Sequence, residues 1–328
     1  MLLSTGRLAA QWGGDVAYSF LTLPSSAKVA AMGDAVLLPK YNDVSQLAQM
    51  PALLDSTLHK QVAVNYANYF ANANYVQAAG AWHDKRYGSF ALTLRELNYG
   101  SFARMNEDAG NEGTFSANEF ALMMHYAQRF SPIFHVGITA KTILSQLERY
   151  TSVGIAIDVA LRYQSLEGLT NIAFAVKNAG LQLKTYYTGD ERQSLPFALQ
   201  LSAAHKFEAA PFGISLSINN LQQWNLYKST QPISVLQGSS AESNFTKFGK
   251  ELMCHLSFGI GIYPSEKFFL MAGYNYLRNN ELSVENQGFG SGFSIGAGLR
   301  IKQIELGYAW GMYHTAGGSH NISVLIRL

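Results

Sequence analysis

The side chains best suited to chemistry are scattered along the chain. Eight histidines stand at His59, His83, His125, His135, His205, His255, His314 and His320. No two of them have the spacing of a zinc site with a third ligand close by. Serine and threonine are abundant, yet no G-x-S-x-G elbow occurs to present a nucleophile. A Ser, a His and an acid brought together only by folding would leave no such trace. The one cysteine, Cys254, falls between Leu252 and Leu256 and reads as a small apolar residue on a strand face. A single cysteine also excludes an intrachain disulfide. The residue pattern therefore assigns no catalytic residue, no metal and no cofactor, and the chain is read as a non-enzyme.

The charged residues give a different signal. They make up 14% of the 328 residues, against roughly 25% in soluble domains. The 24 basic and 22 acidic side chains nearly cancel, and they form no basic run of the kind that binds nucleic acid. Several sit singly within alternating segments: Arg95, Lys141, Asp158, Arg162, Lys177, Arg300 and Glu305. Each falls on the face opposite the apolar residues. Isolated charges among small residues suit a crowded lumen better than an open solvated surface. They could line a polar conduit or hold a charged ligand. They could also form cross-lumen ion pairs that pin an internal segment, a reading that their mixed signs favour.

Those charges need elements to position them. Alternation with period two dominates from about Gln61 onward. Over Val153–Tyr163, Val153, Ile155, Ile157, Val159 and Leu161 oppose Gly154, Ala156, Asp158, Ala160 and Arg162. Phe212–Asn219, Phe197–Ala204, Phe293–Ile301 and Ile304–Met312 repeat the pattern, and their apolar faces carry no charge. The longest apolar run, Phe268–Tyr274, is far too short for a helical span. These features predict an all-β protein, a transmembrane antiparallel barrel of about fourteen strands. The first strand is expected at 61–70, the third and fourth at 87–99 and 117–130, and the seventh at 168–178. The tenth and eleventh are expected at 250–262 and 267–277, and the last at 319–328. Pro132, Pro196, Pro211 and Pro264 all fall at turns or strand starts, where a missing N–H does least harm.

The connections sort by length. Even-numbered ones are short, such as Asp84–Arg86, Ser131–Pro132 and Lys302. Odd-numbered ones include the long segments 100–116, 179–194 and 221–249. Outer-membrane barrels show this asymmetry, with short periplasmic turns and longer outer loops. Tyr186, Tyr187, Trp224 and Tyr227 lie in or beside the long segments. They could belong to the aromatic girdle or anchor a partner protein.

The first sixty residues do not alternate. Residues 1–10 read as the tail of a truncated secretory signal, with Leu8-Ala9-Ala10 before a cleavage point. Residues 11–60 are too apolar for a disordered tail. They are expected to form a plug in the periplasmic end of the lumen, with a short helix within 44–54. The barrel is assigned to 61–328.

Specific stretches add a family resemblance. Tyr18-Ser-Phe20-Leu21, Ser25, Ala27, Met32-Gly33, Asp43-Val44 and Pro51-Ala52-Leu53-Leu54 resemble the N-terminus of the PorV and PorQ families. These are relatives of the FadL fatty-acid channel in Bacteroidota. Met50 departs from the asparagine usual before that Pro-Ala. Downstream, Asn98-Tyr99-Gly100-Ser101-Phe102, Gly110-Asn111-Glu112-Gly113, Glu148-Arg-Tyr150-Thr-Ser152, Lys177-Asn178-Ala-Gly180 and Leu221-Gln-Gln-Trp224 resemble the PorQ family in particular. The resemblance implies an outer-membrane scaffold of the type IX secretion system in a Gram-negative, Bacteroidota-type cell. It implies a place in the attachment complex, holding a PorZ-like surface protein alongside PorU- and PorV-like components. Membrane lipid would surround it, and nucleic acid is not an expected partner. The rival expectation is a FadL-like transporter of small hydrophobic molecules.

Overall fold

Fourteen strands close into one barrel in the computed structural model, which describes residues 16–40, 42–69, 73–105, 111–227, 244–282, 292–314 and 317–328. In chain order they are β1 (Gln61–Asn68), β2 (Asn74–Asp84), β3 (Gly88–Met105), β4 (Asn111–Arg129) and β5 (Phe134–Leu147). Next come β6 (Tyr150–Gln164), β7 (Thr170–Lys184), β8 (Ala198–Lys206), β9 (Phe212–Ile218) and β10 (Leu256–Ile262). The last four are β11 (Phe268–Asn275), β12 (Phe293–Ile301), β13 (Ile304–His314) and β14 (Gly317–Arg327). Each strand pairs antiparallel with its sequence neighbours, and β1 pairs with β14, from Gln61↔Arg327 to Asn68↔His320. Closure leaves no strand edge unpaired, which lipid would not tolerate.

The two faces separate as the alternation requires. Ile155, Ile157, Val159 and Leu161 of β6 point outward, with Ile157 50% exposed, while Ala156, Asp158, Ala160 and Arg162 point inward and are buried. β8, β9, β12 and β13 follow the same rule. Such a continuous apolar exterior would be an aggregation liability in water. Against hydrocarbon it is the favoured surface.

Several boundaries differ from those read in the sequence, and the following have a local reason. β3 and β4 run well past the barrel into the segment 100–116, where Ser101 pairs with Ser116 and the Phe102 and Phe115 rings stack at 5.4 Å. Both faces are solvated there, so the hydrophobic alternation fades while the ladder continues. β7 continues to Lys184 instead of stopping at 178. Asn178 adopts φ 55° and shifts the register against β6. Such a bulge reverses the phase of the strand. Ile172 and Phe174 face out before it, and Leu181 and Leu183 face out after it. The tenth strand starts only at Leu256, because Asn244–Cys254 forms a helix, α2. Cys254 therefore ends a helix, buried, and does not sit on a strand face. A further helix, α3 (Tyr276–Leu282), replaces the end of the predicted eleventh strand.

Residues 16–60 pack against the inward faces of the barrel and reach from one end of it to the other. At the long-loop end Val16 bridges Ser194, and the Tyr18 hydroxyl meets Ser152 Oγ at 2.5 Å. At the turn end the Leu328 amide donates to the Lys60 carbonyl. The segment is thus not confined to the one end expected for it. The expected 44–54 helix is instead two 3-10 turns, Val44–Ala48 and Pro51–Leu53, separated by Gln49 and Met50, because Pro51 keeps Met50 out of helical conformation. A capping box between Asp43 and Gln46 starts the first turn. A short helix, α1 (Ala27–Ala31), begins at the Ser26 cap. Residues 1–15, including the proposed signal, lie outside the described residues.

Glycines let this segment approach the wall. A Cβ on Gly273 would overlap the backbone of Met32 and Gly33, and one on Gly137 would overlap Pro51. Barrel serines complete the contact. Ser323 Oγ accepts from the Ala27 amide at 2.8 Å, and Ser294 Oγ accepts from Gly33 at 3.1 Å.

Candidate functional site: the charged interior

The inward charges of neighbouring strands and of the N-terminal segment meet in pairs. Glu305 and Arg300 stand opposite each other across β12 and β13, joined by Arg300 Nη2 to Glu305 Oε2 at 2.5 Å. The other oxygen of Glu305 receives Lys28 Nζ of α1 at 2.6 Å, and Lys28 also reaches Asp43 Oδ2 at 2.7 Å. Burial alone would depress the Lys28 ammonium. The two carboxylates more than offset it and hold Lys28 above the ordinary lysine value.

Three further nodes follow the same logic. Arg162 of β6 donates to Asp55 Oδ2 of the N-terminal segment at 2.8 Å. Burial would raise the Asp55 carboxyl, but Arg162 and the Thr57 hydrogen bonds win and lower it below the usual carboxylate value. Arg95 of β3 is fully buried; it donates to Gln77 Oε1 at 2.8 Å and to the Leu21 carbonyl at 2.9 Å. Lys141 and Asp158, on β5 and β6, pair at 2.6 Å. The Asn178 bulge joins them, its amide donating to Asp158 Oδ1 and its Oδ1 accepting from Lys141, each at 2.7 Å. Removing one partner of a buried pair typically costs about 3–5 kcal/mol, because the other charge is left unpaired.

Of the seven inward charges singled out in the sequence, Arg95, Arg162 and Glu305 bond to the N-terminal segment. Lys141 and Asp158 bond to each other within the wall. Arg300 bonds to Glu305, which in turn holds Lys28 of the segment, and Lys177 lines a cavity of about 230 Å3 near the long-loop end. The partners Lys28, Asp34, Asp43, Asp55, Gln77 and Arg278 were not singled out. Lys28 carried one usable signal, a lone cation in the short apolar run Ala27–Ala31. Asp34 and Arg278, which form an ion pair, carried none.

The four loop aromatics divide into two clusters. Tyr186 turns inward and donates to Ser145 Oγ at 2.6 Å, and burial pushes its hydroxyl up to about 12. Tyr187 is 52% exposed and lies 4.3 Å from the Tyr150 ring. Trp224 is 48% exposed and packs beside His255 and Phe248. Tyr227 lies under Lys250 of α2, and its amide donates to Glu251. Of the four, Tyr187 and Trp224 are the two with about half of their surface exposed.

A second cavity, of about 850 Å3, opens at the turn end between residues 38–57 and the wall. Among the described residues no three His, Cys, Asp or Glu side chains gather closely enough to hold a metal ion.

Solved structures with this architecture exist. The Pseudomonas putida toluene transporter TodX superposes with TM-score 0.53 and 11% identity, covering 92% of this chain and 98% of that one. A Pseudomonas aeruginosa FadL homologue gives TM-score 0.54 and 11% identity, covering 93% and 99%. The CymD monoaromatic hydrocarbon channel gives 0.50 and 11%, covering 93% and 97%. The fold is that of the FadL-type barrels. At these identities the likeness is one of fold alone. No protein-family model and no curated protein sequence matches the chain.

Proposed function

We propose that this chain is an outer-membrane barrel with a closed lumen that serves as a scaffold, not as an enzyme. In this reading residues 16–60 are its plug. The carrying observation is the set of buried ion pairs that join that segment to the wall, above all Lys28 between Asp43 and Glu305. A route for apolar solutes has no use for a lumen crossed by paired charges. The finer assignment is the attachment complex of a type IX secretion system in a Bacteroidota-type outer membrane. There the barrel would hold a PorZ-like surface protein beside PorU- and PorV-like components. The PorQ-family stretches from Tyr18 onward support it, and the exposed rings of Tyr187 and Trp224 give a partner something to grip. Affinity purification of the full chain from native outer membranes tests it. A PorZ-like protein should co-purify, and its absence from a stable preparation would count against the scaffold.

The likeness of fold to a toluene transporter and a hydrocarbon channel favours a second reading, a transporter of small hydrophobic molecules. It requires the N-terminal segment to move, because in the present arrangement its pairs cross the lumen. Uptake of toluene or a fatty acid that falls when the chain is deleted would support this reading.

A further inference from the structure

We propose that the turn-end cavity is a binding site for a small hydrophilic oxyanion, a molecule bearing carboxylate or phosphate. Its volume of about 850 Å3 lies within the usual range of small-molecule pockets, about 300–1,000 Å3. The inference stands apart from the scaffold reading and from the transport of apolar solutes.

Charge is the first observation. Six cationic side chains line the cavity: Lys40, Arg129, Arg162, Lys206, Arg300 and Arg327. Among the described residues, their ion pairs involve three carboxylates. Glu266 meets Lys40, Asp55 meets Arg162, and Glu305 is shared by Arg300 and Arg327. Lys28, which also touches Glu305, is balanced by Asp43. Among the described residues Lys206 forms no ion pair. Arg129 donates to the carbonyls of Ser131 and Pro132, which orients its guanidinium without neutralising it. A clear positive excess therefore faces one cleft, whose low-dielectric walls focus the field.

The second observation is independent of charge balance. His135 is 3% exposed, and neither ring nitrogen has a hydrogen-bond partner in the protein. The same holds for Arg162 Nε, Gln61 Oε1 and Asn171 Oδ1. Buried polar atoms are normally paired, and these four residues all line the same cavity. These atoms lie beneath the cavity surface, and small side-chain shifts that open them to it would let anionic oxygens accept from Arg162 Nε–H and from an imidazole N–H. Hydroxyl groups on the same ligand would donate to the two amide oxygens. A bare apolar ligand would leave every one of these atoms unsatisfied.

Titration calorimetry on the full chain in lipid nanodiscs tests this with citrate, pyrophosphate and glucose as probes. At least one anion should bind saturably, and glucose should not. Binding of citrate alone assigns a carboxylate ligand, and binding of pyrophosphate alone assigns a phosphate. Lys206→Gln and His135→Phe should each weaken the anion at least tenfold. Lys177→Gln, at the other cavity, should leave it unchanged. Unheated electrophoretic mobility reports whether each variant keeps a closed barrel. The proposal fails if neither anion binds, or if glucose binds equally well. It also fails if folded Lys206→Gln and His135→Phe barrels bind as the parent does.

Discussion

Single residues decide whether the interior is locked. Lys28 has no solvent to fall back on and two carboxylates to satisfy. Lys28→Met should cost about 3–5 kcal/mol and expose residues 16–60 to protease within an intact barrel. Glu305 keeps Arg300 when Lys28 is lost, so Asp43 is the charge left unpaired, and removing it as well, in Lys28→Met/Asp43→Asn, should recover much of that loss. Limited proteolysis across the series measures it, and equal sensitivity of the single and double variants would deny the network its role. Asp55 gives a pH handle. Against the cost of its burial, Arg162 and the Thr57 hydrogen bonds hold its carboxyl below the usual carboxylate value. Its contribution is therefore fully present above the unfolded value and lost as the pH falls through the lower, folded one. The turn end of the segment should loosen only below about pH 4, and Asp55→Asn should be loose already at neutral pH. Fluorescence of a probe attached at Ser56, followed against pH, reads this directly.

At the scale of strands and helices, sequence periodicity located every strand, because one face meets lipid and the other a packed interior. It failed where that contrast is absent. The β3–β4 extension is wet on both sides, so its pairing left no hydrophobic trace. The Asn178 bulge reversed the phase within β7, and the pattern looked finished when it had only slipped. The start of α2 falls in the expected 221–249 loop and its end in the expected tenth strand, because Leu252, Cys254 and Leu256 share a period of two, although Phe245, Phe248 and Leu252 follow a helical spacing. The interior charges were legible as inward-facing single residues. Their partners were not, because Lys28–Glu305 and Asp55–Arg162 join positions far apart in the chain that only closure brings together. Facing is testable by substitution. Ile157→Arg should destabilise the barrel in membranes by about 2–4 kcal/mol if it lies near the midplane. Ala156→Ser, on the inward face, should cost far less. Urea titration in liposomes compares them, and equal effects would reverse the faces.

For the whole molecule, the sorting of connections predicts an orientation with the long segments outward. A protease site inserted after Gly189 should be cut on intact cells, and one inserted after Lys85 should not; the opposite pattern would invert the barrel. The scaffold reading then asks what the long-loop end holds. Loops contribute little to the strand ladder, so shortening 185–194 should leave the barrel closed while removing the Tyr187 contact. The most direct test is the amount of the PorZ-like protein released into the medium by cells carrying this shortened loop. The account predicts that the protein is shed while toluene and fatty-acid uptake stay unchanged. Full retention of that protein on the surface, together with a fall in solute uptake, would contradict it and establish the transporter instead.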